Sequence, residues 1–324
     1  MRAFVSGCAG FIGSHLTESL LEDGYSVIGV DCFNDNYGRR QKLSNLARSR
    51  GWSGFEFVPL DLARGDLTDL VEECDVVFHL AAEPGVRPSW GQRFDTYLRN
   101  NLLASQKLLD AVKIAAANAR FVYASSSSIY GQAESFPTSE DTLPQPMSPY
   151  GMTKLAAEHM TFLYHANFGV QATTLRYFSV YGPRQRPDMA FRIFCEAALR
   201  DEEFTVFGDG TQTRDFTYVA DVVNATRAAA AVPGAIGNIY NIGGGSQVSL
   251  NDTIAVLSEL VGRPLRVTYS GTVDGDVKDT SADITRAASD LVYRPTTDYK
   301  TGLESELAWV ARSMSTPADQ IARA

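Results

Sequence analysis

Two side chains able to exchange a proton stand four residues apart in Ser148-Pro149-Tyr150-Gly151-Met152-Thr153-Lys154. On a helix that spacing places both on one face. An ammonium beside a phenol stabilises the phenolate, so Tyr150 is expected to lose and regain a proton near neutral pH. The same spacing suits two surface residues of an amphipathic helix, so its meaning depends on what the rest of the chain brings to it. A second reactive stretch is the hydroxyl run Ser125-Ser126-Ser127-Ser128. Serine clusters often only build turns, but this one follows an apolar segment and precedes the Tyr–Lys pair, which favours a catalytic role for at least one of them.

The elements that must position these groups begin at the N-terminus. Residues 2–6 read as a short strand, followed by Gly7-Cys8-Ala9-Gly10-Phe11-Ile12-Gly13 and a helical pattern carried by Phe11, Ile12, Leu16, Leu20 and Leu21. Strand, glycine turn and helix together form the context of a dinucleotide-binding fingerprint, in which the backbone approaches a pyrophosphate at the helix N-terminus. The next strand, Tyr25 to Val30, ends in Asp31, 18 residues beyond Gly13. A carboxylate there accepts hydrogen bonds from an adenosine ribose diol and repels a 2′-phosphate, which favours NAD over NADP.

Strands and helices then alternate. Phe55 to Leu60 runs into Asp61-Leu62, Asp75 to Ala82 is a buried strand ending in small residues, and a long helix covers about 94–117. Arg120 to Ala124 is a strand leading into the serines, Pro149 opens the Tyr150 helix, and Val170 to Arg176 is another strand. This alternation predicts an α/β fold built on a doubly wound parallel sheet. Gly7, Asp31, Asp61, Ala81, Ser126 and Tyr150 all follow predicted strand ends, so they should share the crevice at the sheet's carboxyl edge.

Beyond residue 177 the alternation breaks. Gly182-Pro183-Arg184-Gln185-Arg186-Pro187-Asp188 is a basic loop, readable on its own as solvated surface, followed by a helix over about 189–199 and a strand at 204–207. The stretch 207–216 reads as a hairpin-like turn, and a helix over about 221–231 leads to a strand at 238–242 that rejoins the first sheet. Short helices and loops complete the chain, with a polar tail after Ser313.

Composition sets bounds. At 324 residues, with 44% hydrophobic and 21% charged residues, the chain can bury a large core. A net charge of -9 argues against a general nucleic-acid or acidic-membrane binder. Neither a leader nor a membrane-spanning run is expected, and Cys8, Cys32, Cys74 and Cys195 lack C-x-x-C spacing, which suits free thiols in a cytoplasm. His15, His79, His159 and His165 form no metal-ligand cluster, so no metal is expected.

Several motifs together resemble an extended short-chain dehydrogenase/reductase of the nucleotide-sugar epimerase group, over essentially the whole length. They are Gly7-x-x-Gly10-x-x-Gly13, Asp31, Asp61-Leu62, His79-Leu80-Ala81-Ala82, the serines before Ile129-Tyr130-Gly131, Tyr150-x-x-x-Lys154 and Arg176-Tyr177-Phe178. Gly85-Val86-Arg87-Pro88-Ser89 and the segment from Tyr181 to Phe191 are similar to the UDP-glucuronate 4-epimerases, whose substrate carries a carboxylate at C6.

The resemblance implies a Rossmann domain over 1–176, rejoined by about 217–242, and a smaller C-terminal α/β domain over 177–324 that mainly binds a UDP-sugar. It makes Ser126, Tyr150 and Lys154 catalytic. NAD would lie against Gly7, Gly10, Phe11, Ile12, Gly13, Asp31, Asp61, Leu62, Leu80, Ala81 and Ala82, reaching Tyr150, Lys154 and Tyr177 at the nicotinamide. The substrate would meet Arg87, Ser126, Ser127, Ser128, Tyr150 and Ser179, Phe178 lying where it flanks the nicotinamide, with Arg186 facing the sugar carboxylate, while Val206, Phe207, Arg214 and Asp276 would hold the UDP.

Two departures from related enzymes matter. A second diphosphate arginine common in UDP-galactose epimerases is replaced here by Val273-Asp274, and Ser127-Ser128 stand where 4,6-dehydratases place an Asp-Glu pair. The implied activity is interconversion of UDP-glucuronate and UDP-galacturonate through a 4-keto sugar. A UDP-glucose/galactose epimerase, a UDP-glucuronate decarboxylase and a non-catalytic NAD-sensing relative are the alternatives. A homodimer through the helices near 94–117 and 150–168 is the family-level expectation.

Overall fold

A computed structural model describes residues 1–271, 275 and 277–315. Seven strands form one parallel sheet: β1 (Arg2–Ser6), β2 (Ser26–Asp31), β3 (Phe55–Pro59), β4 (Val76–His79), β5 (Arg120–Ser126), β6 (Gln171–Tyr177) and, after an excursion, β10 (Ile239–Ile242). Their spatial order is β10-β6-β5-β4-β1-β2-β3. The order reverses between β1 and β4, which pair from Ala3↔Val76 to Ser6↔His79. The crevice beyond that reversal is where doubly wound sheets take ligands.

Both faces of this sheet are covered, which explains the continuous apolar strands. Ala3, Val5, Val76, Phe78, Val122 and Ala124 pack on one side with helices Phe11–Glu22 and Val219–Ala231. Their neighbours Phe4, Val77, Phe121 and Tyr123 point the other way, toward helices Ala104–Ala115 and Pro149–Phe168.

The excursion forms a second lobe. Together with the chain after β10, it contributes β7 (Ser179–Tyr181), β8 (Phe204–Phe207), β9 (Thr213–Tyr218), β11 (Gln247–Ser249) and β12 (Val267–Ser270). Helices Ala190–Arg200, Leu250–Val261 and Tyr299–Ser315 pack here around Tyr181, Phe191, Phe194, Phe204, Leu257 and Leu303.

Four local readings change. The 207–216 stretch is not a hairpin, because β8 pairs with β12 while β9 pairs with β7 and β11. The closing region holds two unforeseen short strands and a 17-residue helix, not only short helices and loops. The serine strand runs on through Ser126. The helix near 94–117 is interrupted over Leu98–Leu103 by a wider π-helical turn, a feature frequent at functional sites. That turn buries Asn101, whose amide donates to the Glu83 carbonyl at 3.1 Å and to Thr153 Oγ1 at 3.0 Å, tying the crevice wall to the Tyr150 helix.

Candidate active site

The glycine turn is a cradle that side chains would fill. Gly7 holds a φ of 74°, and a Cβ on it would come within 2.9 Å of the Ala81 backbone nitrogen. A Cβ on Gly13 would sit 2.1 Å from the Gly7 carbonyl oxygen. Ser6 Oγ fastens the opposite wall, accepting from the backbone N–H groups of Leu80 at 3.1 Å and Ala81 at 3.2 Å. His79 supports that arrangement from the core, bonded to Ser6 at 2.8 Å and Ser105 at 2.8 Å, and burial lowers its pKa to about 3. It is a neutral structural imidazole.

One continuous cleft passes from this cradle to the Tyr150 helix. Gly7, Gly10, Phe11, Ile12 and Gly13 line its floor, Asp31, Asp61 and Leu62 its far end, Leu80, Ala81 and Ala82 its side, and Tyr150, Lys154 and Tyr177 its near end. Every residue assigned to the dinucleotide from sequence therefore borders the same space. Asn34, Tyr37, Lys42 and Asn100 line it too. No motif advertised these four, since they reach the cleft only through folding. Lys42 is buried 3.5 Å from Asp31 and also donates to the Asn34 carbonyl at 3.1 Å.

Ser148 caps the Tyr150 helix by accepting the Gly151 N–H at 3.1 Å, with Pro149 in its first turn. This fixes Tyr150 against Tyr97, the rings meeting edge-on at 6.3 Å. Of the four serines, Ser126 is the one whose hydroxyl bears on the Tyr150 phenol, drawing its pKa down. Ser125 lines the cleft and donates to Glu158 at 2.7 Å, Ser128 donates its N–H to Ser126 Oγ, and Ser127 is half-buried in the same turn.

The electrostatics differ from the sequence expectation of a near-neutral phenol. Burial pushes the Tyr150 phenol above its ordinary value, opposed only in part by the Ser126 hydrogen bond and the Arg186 charge. The same burial pushes the Lys154 amine down to about 7, with the Glu158 carboxylate resisting. Desolvation outweighs their proximity and favours both neutral forms. Lys154 Nζ donates to the Ala124 carbonyl at 2.7 Å. Glu158, four residues further along the helix, also grips Arg176 through two bonds of 2.6 and 3.2 Å. Its i+4 place after Lys154 is a sequence signal for this pairing, since that spacing shares one helix face.

The basic loop is not solvated surface. Arg184 pairs with Glu18 on the first helix at 2.8 and 3.0 Å, and His15 bonds the Pro183 carbonyl at 2.8 Å. Gln185 donates to Val180 O and accepts the Arg192 N–H. This leaves Arg186 bordering the cleft beside Tyr150, its guanidinium paired with Asp188.

The remaining sequence-assigned residues that the structure describes lie outside the cleft's lining. The Arg87 guanidinium covers the Phe207 ring at 4.3 Å, and Phe207 is 40% exposed. The Arg214 guanidinium donates to the carbonyls of Val277 at 2.6 Å and Lys278 at 2.7 Å. Val206 packs into the second lobe's core, while Phe178 is buried with Ile129 and Tyr130. Ser179 is half-buried in β7. Asp276, with Val273 and Asp274, lies outside the described residues.

The profile of the NAD dependent epimerase/dehydratase family matches residues 3–243. A curated UDP-glucuronate 4-epimerase of Thermodesulfobacterium geofontis is 36% identical over 310 residues, 94% of each chain. The Bacillus subtilis protein described as the uncharacterized UDP-glucose epimerase YtcB is 42% identical over 312 residues, 96% of this chain and 98% of its own. Among solved structures, UDP-glucuronic acid 4-epimerase from Bacillus cereus in complex with UDP-glucuronic acid and NAD aligns with a TM-score of 0.94 and 44% identity. That match covers 97% of this chain and all of the other.

Proposed function

From a chain that belongs to the NAD-dependent epimerase/dehydratase family, we infer an NAD-dependent isomerase that inverts C4 of a UDP-hexuronate, converting UDP-glucuronate to UDP-galacturonate. The observation that carries this reading is one cleft bordered by the glycine cradle, Asp31, the Tyr150–Lys154 pair and Arg186. The residues present fit the dinucleotide: the cradle admits no Cβ at Gly13, and Asp31 ends the strand beside it. When bound, NAD supplies a hydride acceptor that returns the same hydride, so no external oxidant is consumed.

Tyr150 exchanges the proton of the C4 hydroxyl, and Ser126 holds the same oxygen. Because burial keeps the phenol protonated, the cations facing it decide when that proton leaves. Arg186 is one of them. Lys154, kept chargeable by Glu158, borders the same cleft and is read as the second. Arg186 takes the C6 carboxylate as a fork, and the 4-keto sugar would turn about its bond to the diphosphate to present its other face.

The larger unit, residues 1–176 rejoined by about 217–242, holds the cofactor, and 177–324 mainly hold the UDP-sugar. Arg214 and Phe207 are assigned to the UDP and Arg87 to the substrate, Val206 contributing only its backbone, because its side chain is buried. Ser127, Ser128, Phe178 and Ser179 stay assigned to the sugar. The protein is read as a cytoplasmic homodimer. No helix among the described residues is long and apolar enough to cross a membrane. Exposed Leu103, Ile114 and Leu163 on the helices near 94–117 and 150–168 support the dimer.

A neutral hexose is the second reading, favoured by the relative described as a UDP-glucose epimerase. The deciding assay incubates the protein with a panel of UDP-sugars, identifies products by NMR and measures NAD released on denaturation. UDP-galacturonate from UDP-glucuronate supports the uronate reading, a UDP-pentose marks a decarboxylase, and turnover of UDP-glucose alone marks a neutral-sugar epimerase. Tyr150→Phe should retain NAD and lose about a hundredfold or more of the rate. An undiminished rate would remove Tyr150 from the chemistry.

A further inference from the structure

Arg186 is aimed by its own neighbour. Its backbone is fixed through Arg184, Gln185 and the turn from Met189 N–H to the Arg186 carbonyl at 3.1 Å. Its guanidinium meets Asp188 along one edge, Nε to Oδ1 at 3.0 Å and Nη2 to Oδ2 at 3.0 Å. A guanidinium carries five N–H bonds arranged as two parallel-donor edges. The side edge is engaged, which leaves the end edge, Nη1 with the second Nη2 hydrogen, for another carboxylate. Arg186 borders the cleft, with a side chain 19% exposed against 50% for Asp188.

We propose that Asp188 is a positioning residue for the uronate. It holds the Arg186 fork side-on, so that the end edge grips the substrate's C6 carboxylate and fixes its plane. This rests on the uronate reading above. The plane matters because a 4-keto uronate is a β-keto acid. If the C5–carboxylate bond aligns with the ketone π system, that bond breaks and CO2 leaves. The electron pair passes into the ketone as an enolate, and a proton from water completes C5. A fork locked at both edges keeps the bond out of that alignment. An arginine free to rotate does not.

Asp188→Asn keeps the shape but sets an amide N–H against a guanidinium N–H, and Asp188→Glu restores the charge. With UDP-glucuronate, the Asn variant should raise KM about tenfold, the worth of one charge-assisted hydrogen bond, with a smaller change in kcat. Its decarboxylated fraction, UDP-4-keto-pentose together with any UDP-pentose formed from it by return of the hydride, should exceed that of wild type, its total bound oxidised and reduced NAD should be unchanged, and the Glu variant should recover part of the KM. A KM equal to or below the wild-type value, with no added pentose, overturns the proposal while leaving the epimerase reading intact. Wild-type protein that does not convert UDP-glucuronate overturns both.

Discussion

Glu306→Gln should erase a pH dependence of folding that originates in the second lobe. Glu306 lies on the Tyr299–Ser315 helix with 0% exposure, and its Oε2 accepts the Gly182 N–H at 2.7 Å. Its Oε1 has no hydrogen-bond partner among the described residues. Burial pushes the carboxyl from 4.5 to about 8, opposed by the Gly182 hydrogen bond and the Arg192 charge. Between those two values the native protein keeps a proton that the unfolded chain releases. The contribution to stability is therefore whole below 4.5, falls as pH rises, and is lost by about 8. The slope is about 1.4 kcal/mol per pH unit. Integrated over that span the loss is of order 5 kcal/mol, and local relaxation makes this an upper bound.

Glutamine retains an oxygen for Gly182 and does not titrate. Urea denaturation of both proteins at pH 5 and pH 8.5 isolates the effect, since every other titrating group is common to the two. Wild type should lose several kcal/mol relative to the variant between these conditions. Parallel stability profiles would show that Glu306 is ionised throughout and would refute the burial argument.

Two further perturbations bear on the site's framework. Gly13→Ala places its Cβ 2.1 Å from the Gly7 oxygen and 2.8 Å from the Gly7 carbon, both backbone atoms that cannot swing aside. The purified variant should carry little NAD while keeping wild-type circular dichroism, and full NAD stoichiometry would contradict the cradle. Arg184→Ala strands Glu18, whose side chain is 8% exposed, with Arg48 at 3.6 Å the one remaining paired cation among the described residues. The expected loss is about 2–3 kcal/mol by denaturant titration, and an unchanged midpoint would make the pair a mere bystander.

Features encoded by short-range rules were legible before any coordinates. The glycine turn, the Asp31 strand end and the Tyr150–Lys154 spacing depend on local geometry and on a periodicity that any 20-residue window displays. The parallel sheet followed from their alternation. Its carboxyl-edge crevice then brought the whole dinucleotide set together.

Pairings across long separations left no such imprint. Glu18 and Arg184 meet over 166 residues of chain, and β8 chooses β12 over its sequence neighbour β9. These contacts are set by which lobe surface each segment packs on, not by residue type. The pKa values were hidden for the same reason. Proximity of a phenol and an amine is written in their spacing, but the burial that drives Tyr150 up and Lys154 down belongs to the folded surroundings. Asp188 stands two residues from Arg186 in plain view, yet only the fold decides that it takes the side edge of the guanidinium and leaves the end edge for another carboxylate. The amino-acid order thus determined which groups this protein brings to its cleft. Their charge states and orientations were decided by desolvation and by anchoring contacts that only the closed tertiary structure supplies.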